Sequence, residues 1–113
     1  LLRRFFATAA IAAVTAMASP AFAQCDTSFT LVNASGTTIN ELYFSSANSS
    51  NWGNDRLGSN VLPAGRQASY QPRPGGRYDF RVVFDNGRSV ERRGIDLCSV
   101  STVTVRGNGI AAD

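Results

Sequence analysis

From Phe29 onward, apolar and polar positions alternate with a period of two. That period belongs to strands with one covered face and not to helices. Phe29–Val32 predicts a first strand, ended by the turn cluster Asn33-Ala34-Ser35-Gly36. Ile39–Ser45 predicts a second, with Ile39 and Tyr43 on one face and Leu42 and Phe44 on the other. Apolar residues on both faces predict that this strand is central. Ser45–Gly58 then breaks the pattern and is the longest stretch without periodicity. Val61-Leu62 begins a short strand stopped by Pro63-Ala64-Gly65. Gln67–Gln71 is another, and the prolines on both sides of it predict an edge position.

Arg77–Phe84 carries the strongest alternation. Tyr78, Phe80, Val82 and Phe84 fall on one face, with Asp79, Arg81 and Val83 opposite. Asp85-Asn86-Gly87 predicts a tight hairpin, because Asn-Gly accepts the positive φ such turns need. Arg88–Arg93 returns as the partner strand, and Ile95–Cys98 and Ser101–Arg106 follow as two more. The tail Gly107–Asp113 is expected to fray. About seven short strands at turn spacings of roughly 8–12 residues predict an all-β fold. The expected architecture is a small antiparallel two-sheet sandwich, immunoglobulin-like or a similar Greek key.

The first 23 residues follow a different logic. Arg3 and Arg4 precede the uncharged apolar run Phe5–Ala18, and Ala21-Phe22-Ala23 supplies small residues in the A-x-A pattern of a signal-peptidase site. Residues 1–23 therefore read as an export signal cut before Gln24, and residues 24–113 as the mature single domain. Arg3-Arg4-Phe5-Phe6 fits the R-R-x-F core of a twin-arginine signal, although two arginines before an apolar run also serve the general secretory route. The run is too short and too rich in alanine to remain as a membrane span. The expected location is the bacterial periplasm or the medium.

Cleavage changes the charge balance. Without Arg3 and Arg4, nine arginines face eight carboxylates, so neither nucleic acid nor an anionic membrane is an expected partner. The chain has no histidine, which removes Ser–His and Cys–His nucleophiles. With only Cys25 and Cys98, a zinc site is not expected, nor any other metal or cofactor. In an oxidising compartment the two cysteines most economically form one disulfide. It closes a loop of about 70 residues and contributes at most about 4 kcal/mol.

Several blocks also resemble a widespread group of small exported bacterial proteins without an assigned activity, some of them with twin-arginine signals. They are Phe29-x-Leu31-Val32-Asn33-x-Ser35-Gly36, Trp52-Gly53-x-Asp55-x-Leu57-Gly58, Gly76-x-Tyr78-Asp79-Phe80-Arg81 and Gly94-x-Asp96-Leu97-Cys98. The W-G-x-D-x-L-G block is the most specific. The resemblance implies a small β-sandwich and supplies no catalytic residues.

The aperiodic stretch is the candidate site. Long loops without periodicity often carry function. Trp52 is a candidate aromatic anchor, with Asn54, Asp55 and Arg56 beside it. The competing expectation is that Trp52 folds back onto the sandwich while Asn54 and Asp55 form side-chain turns. A calcium site from Asp55, Asn48, Asn51 and Asn54 is disfavoured, because one carboxylate is few for that ion. No pair of acids at hydrolytic spacing stands out. Arg73, Arg77, Arg88, Arg92 and Arg93 either face an acidic ligand or keep a sheet edge from pairing with other chains. Asn33-Ala34-Ser35 and Asn48-Ser49-Ser50 match glycosylation triplets but, behind a bacterial signal, read as loop chemistry. The functional expectation is a non-enzymatic envelope protein that binds an unknown protein or glycan. The alternatives are a small periplasmic enzyme inhibitor acting through loop 45–58 and, less favoured, a carboxylate-dependent hydrolase.

Overall fold

Alternation is realised as seven strands in a computed structural model that describes residues 25–73 and 75–113. The export signal and its cleavage point before Gln24 lie outside the described residues. The strands are β1 (Phe29–Asn33), β2 (Ile39–Ser46), β3 (Gln67–Tyr70), β4 (Arg77–Phe84), β5 (Ser89–Asp96), β6 (Thr102–Arg106) and β7 (Gly109–Ala112). One sheet has the order β3-β1-β6-β7 and the other β2-β4-β5. All neighbours are antiparallel except β1 and β6, which run parallel.

The inner faces of both sheets share one core. Phe29 and Leu31 of β1 meet Leu42 and Phe44 of β2 and Phe80 and Val82 of β4, all buried. The Phe29 ring lies edge-on to Phe44 at 5.2 Å and to Phe80 at 5.4 Å, the arrangement aromatic quadrupoles favour. Tyr78, Phe80, Val82 and Phe84 are all buried, as the alternation of that segment predicts.

Four details depart from the sequence reading. β2 is hydrogen-bonded within its sheet on one side only, so β4, not β2, is the central strand. A register shift between Ile39 and Glu41 brings Ile39, Leu42 and Phe44 to the same inner face, and this explains the apparent two-sided pattern. Ser89–Asp96 is one strand and not two. It bulges at Gly94, whose φ of +73° suits glycine, so the strand continues through the kink. The tail does not fray: β7 pairs with β6, and the backbone of Asp113 exchanges hydrogen bonds with Thr102. Val61-Leu62 forms only an isolated bridge, Leu62 to Ile39.

Gln67–Tyr70 lies at an edge, as the flanking prolines predict. Cys25 and Cys98 form the disulfide, joining the segment before β1 to the turn after β5 across 73 residues. Gly75 packs directly on it. A Cβ there would stand 2.9 Å from Cys25 Sγ, so any side chain would force the bridge or the backbone to shift.

Candidate functional site

The aperiodic stretch divides into two parts with different partners. Its second part lies along the open edge of β2. The backbone N–H of Arg56 donates to Leu42 O at 2.7 Å, and Leu42 N–H donates to Asp55 Oδ1 at 2.9 Å. The same Asp55 oxygen accepts from Leu57 N–H at 2.9 Å, closing an Asx turn. Arg56 Nη2 donates to Phe44 O at 2.7 Å, and its guanidinium stands 4.3 Å from the centre of the Phe44 ring. Further on, Ile39 and Leu62 exchange both backbone hydrogen bonds at 2.9 Å. A strand edge that would otherwise offer free N–H and C=O groups is thereby covered.

The first part makes few bonds outside itself. Ala47 N–H donates to Arg77 O at 2.9 Å, and Ser49 Oγ to Asn51 O at 3.0 Å. Trp52 is half-buried and stands outside the core cluster. Its ring faces the Arg93 guanidinium at 4.9 Å, a cation–π contact on the outer side of β5. Arg93 belongs to a chain of charges. It bonds Asp79 at 3.2 Å and Glu91 at 3.3 Å, and Glu91 also bonds Arg81 at 2.7 Å. Asp79, buried although it points away from the core, accepts Gly94 N–H at 2.9 Å and so braces the β5 bulge.

Of the four candidate residues, Trp52 and Arg56 line a common recess of about 250 Å³, joined there by Ser45, Asn51, Arg73 and Tyr78. Asp55 does not line it, since its carboxylate is turned to the β2 edge. Asn54 is exposed beside it. Arg73 has no hydrogen-bond or ion-pair partner among the described residues. Of the other arginines singled out, Arg77 donates to Gly94 O at 3.0 Å and Arg92 to Ile110 O at 3.2 Å. The Arg92 bond ties β5 to the edge strand of the opposite sheet.

The carboxylates serve local geometry. Asp96 accepts Cys98 N–H and Ser99 Oγ–H at the turn carrying the disulfide, and these hydrogen bonds hold its pKa below the usual value. Asp26 is lowered in the same way by Ser28. Glu41 accepts the Tyr43 hydroxyl proton, which raises the Tyr43 pKa. The recess wall at Tyr78 is a buried phenol whose pKa desolvation raises.

Two features escaped the sequence reading. Arg73 and Tyr78 meet Trp52 only through the sandwich, and no local pattern joins them. Asn33 is fully buried, so it is not a surface turn residue. Its Nδ2 donates to Thr37 O and Leu62 O, each at 2.9 Å, and its Oδ1 accepts from the N–H and hydroxyl of Ser35. The alternation Phe29, Leu31, Asn33 carried the signal, since all three share the inner face.

Comparison with family models, curated proteins and solved structures finds no match to this chain.

Proposed function

We propose that the protein is a non-enzymatic binding module of the bacterial cell envelope, exported by a cleaved signal, which takes its ligand at the Trp52 recess. The observation that carries this reading is the convergence on one concave surface of a half-buried tryptophan and of Arg73, an arginine without a partner among the described residues. Concave sites with an aromatic wall and a few convergent polar groups are the usual form of small binding sites. The disulfide agrees with life in an oxidising compartment. The carboxylates support the non-enzymatic part. Asp55, Asp79, Glu91 and Asp96 each bond a backbone amide, a hydroxyl or an arginine that shapes the fold. The inhibitor alternative has less support, because Asp55 and Arg56, in the second half of loop 45–58, are bonded to β2 and do not project.

The test uses the protein purified after export and immobilised, with solubilised envelope material passed over it. The wild type should retain protein or glycan that Trp52→Ala does not, while the variant melts within several degrees of the wild type. Equal retention by both, or retention by neither, would overturn the reading.

A further inference from the structure

We infer that the Trp52 recess binds a carboxylate-bearing saccharide, one acidic ring of a polysaccharide, with Arg73 clamping the carboxylate. The inference rests on the binding-module reading and adds the chemistry of the ligand. Its lining contains two arginines, Arg56 and Arg73, and no carboxylate. Arg73 is exposed and has no partner among the described residues, so its planar fork is open to a bidentate acceptor. Arg56 gives one side-chain hydrogen bond, to Phe44 O, and adds positive charge at the recess wall. Asp79, which lines a smaller adjoining recess with Trp52, is already engaged by Arg93.

The remaining lining suits a sugar ring. Trp52 offers an apolar surface for the C–H face of a pyranose. Ser45 and Asn51 offer side-chain groups without partners among the described residues, and these match hydroxyls as donors and acceptors. The volume of about 250 Å³ is below the roughly 300–1,000 Å³ of sites that enclose drug-sized ligands. It therefore takes a single ring of a longer chain and leaves the neighbouring sugars in solvent. A protein ligand is less favoured. A protein partner would set Trp52 within a wider apolar patch, and Val61 is the one large hydrophobic residue exposed among the described residues.

The chain has one tryptophan, so Trp52 reports on the recess directly. The exported protein is titrated with trigalacturonate, maltotriose and inorganic phosphate, by fluorescence and by calorimetry in parallel, up to about 10 mM. Trigalacturonate should bind saturably, shift the Trp52 emission and weaken with added salt. Maltotriose and phosphate should each bind at least about tenfold more weakly. Arg73→Ala should reduce trigalacturonate affinity about tenfold at an unchanged melting temperature, and Arg73→Lys should restore only part of it. Three outcomes would overturn the inference: no heat and no spectral change, maltotriose or phosphate binding as well as trigalacturonate, or full affinity in Arg73→Ala. If Trp52-dependent capture of envelope material persists in any of those cases, the module reading stands and the acidic-sugar assignment alone falls.

Discussion

The two halves of the aperiodic stretch share a lack of periodicity but not a duty. Asn48–Trp52 has no glycine and no aliphatic side chain, whereas Asp55–Gly58 and the chain that follows it to Leu62 carry Gly58, Leu57 and Leu62. In the second half the main chain and two side chains are bonded to β2, and Leu57 and Leu62 reach the core. In the first half Ser49 and Asn51 bond one another, and Trp52 rests on Arg93 outside the core. The difference arises from what each half lies beside. The second half meets an open strand edge that needs hydrogen-bond partners, and the first meets an outer sheet face already paired within itself. Gly53, with φ of +76°, turns the chain between them. A loop without periodicity is therefore not one object: here one half supports the fold and the other shapes a surface.

The largest expected effect concerns the wall opposite the free half. Pro72 and Arg73 line the recess with Trp52, and Gly75 close by packs on the Cys25–Cys98 bridge. Reduction should cost about 2–4 kcal/mol. For a domain of this size that lowers the melting temperature by roughly 8 °C or more. Removing the bridge should also weaken ligand binding at the recess, since Arg73 lies in that wall. An unchanged melt on reduction would show that the hydrogen-bonded half alone holds the structure.

Next comes the hydrogen-bonded half itself. Asp55→Ala removes the acceptor for Leu42 N–H and Leu57 N–H and leaves both donors without protein partners. A charged acceptor lost from two amides should cost about 2–3 kcal/mol. Thermal melts of Asp55→Ala and Asp55→Asn read this out, and the asparagine variant should recover much of the loss. If Asp55→Ala melts like the wild type, the edge-covering role of this half is refuted.

Much of this organisation was legible from residue type and parity. The strands of Arg77–Phe84 and its hairpin partner followed from alternation and one Asn-Gly turn, because both signals are local. The disulfide followed from having two cysteines. The position of β2 did not follow. Its bulge shifts parity within the strand, so a simple count of faces suggested two covered sides. β7 was missed because Gly109-Ile110-Ala111-Ala112 alternates weakly and gains its order from pairing with β6. At the site, Trp52 and Arg56 were found by rarity and position. Arg73 was grouped with the edge arginines, since nothing local shows that β3 and β4 bring it to Trp52.

Trp52→Ala separates the two halves further. The ring is half-buried and outside the core, so its removal forfeits a cation–π contact of about 0.5–1 kcal/mol and part of its burial. A total of about 1–2 kcal/mol is expected, less than for Asp55→Ala, together with loss of ligand capture. Folded emission should lie between buried and fully hydrated tryptophan and move red on unfolding. A loss of 3–5 kcal/mol, as for truncation of a packed aromatic, would show that Trp52 belongs to the core after all.

The smallest expected effect locates the boundary. Asn54 sits between Gly53 and Asp55, is exposed, and makes no side-chain hydrogen bond among the described residues. It also lies outside the recess lining. Asn54→Ala should therefore stay within about 0.5 kcal/mol of the wild type and leave capture unaltered. Set beside Asp55→Ala, it asks whether duty changes within a single residue step. A loss above about 1 kcal/mol would move the boundary toward Trp52 and assign Asn54 to the half that holds β2. A change in capture without a change in melting would instead extend the binding surface past Gly53, so either result redraws the division from a different side.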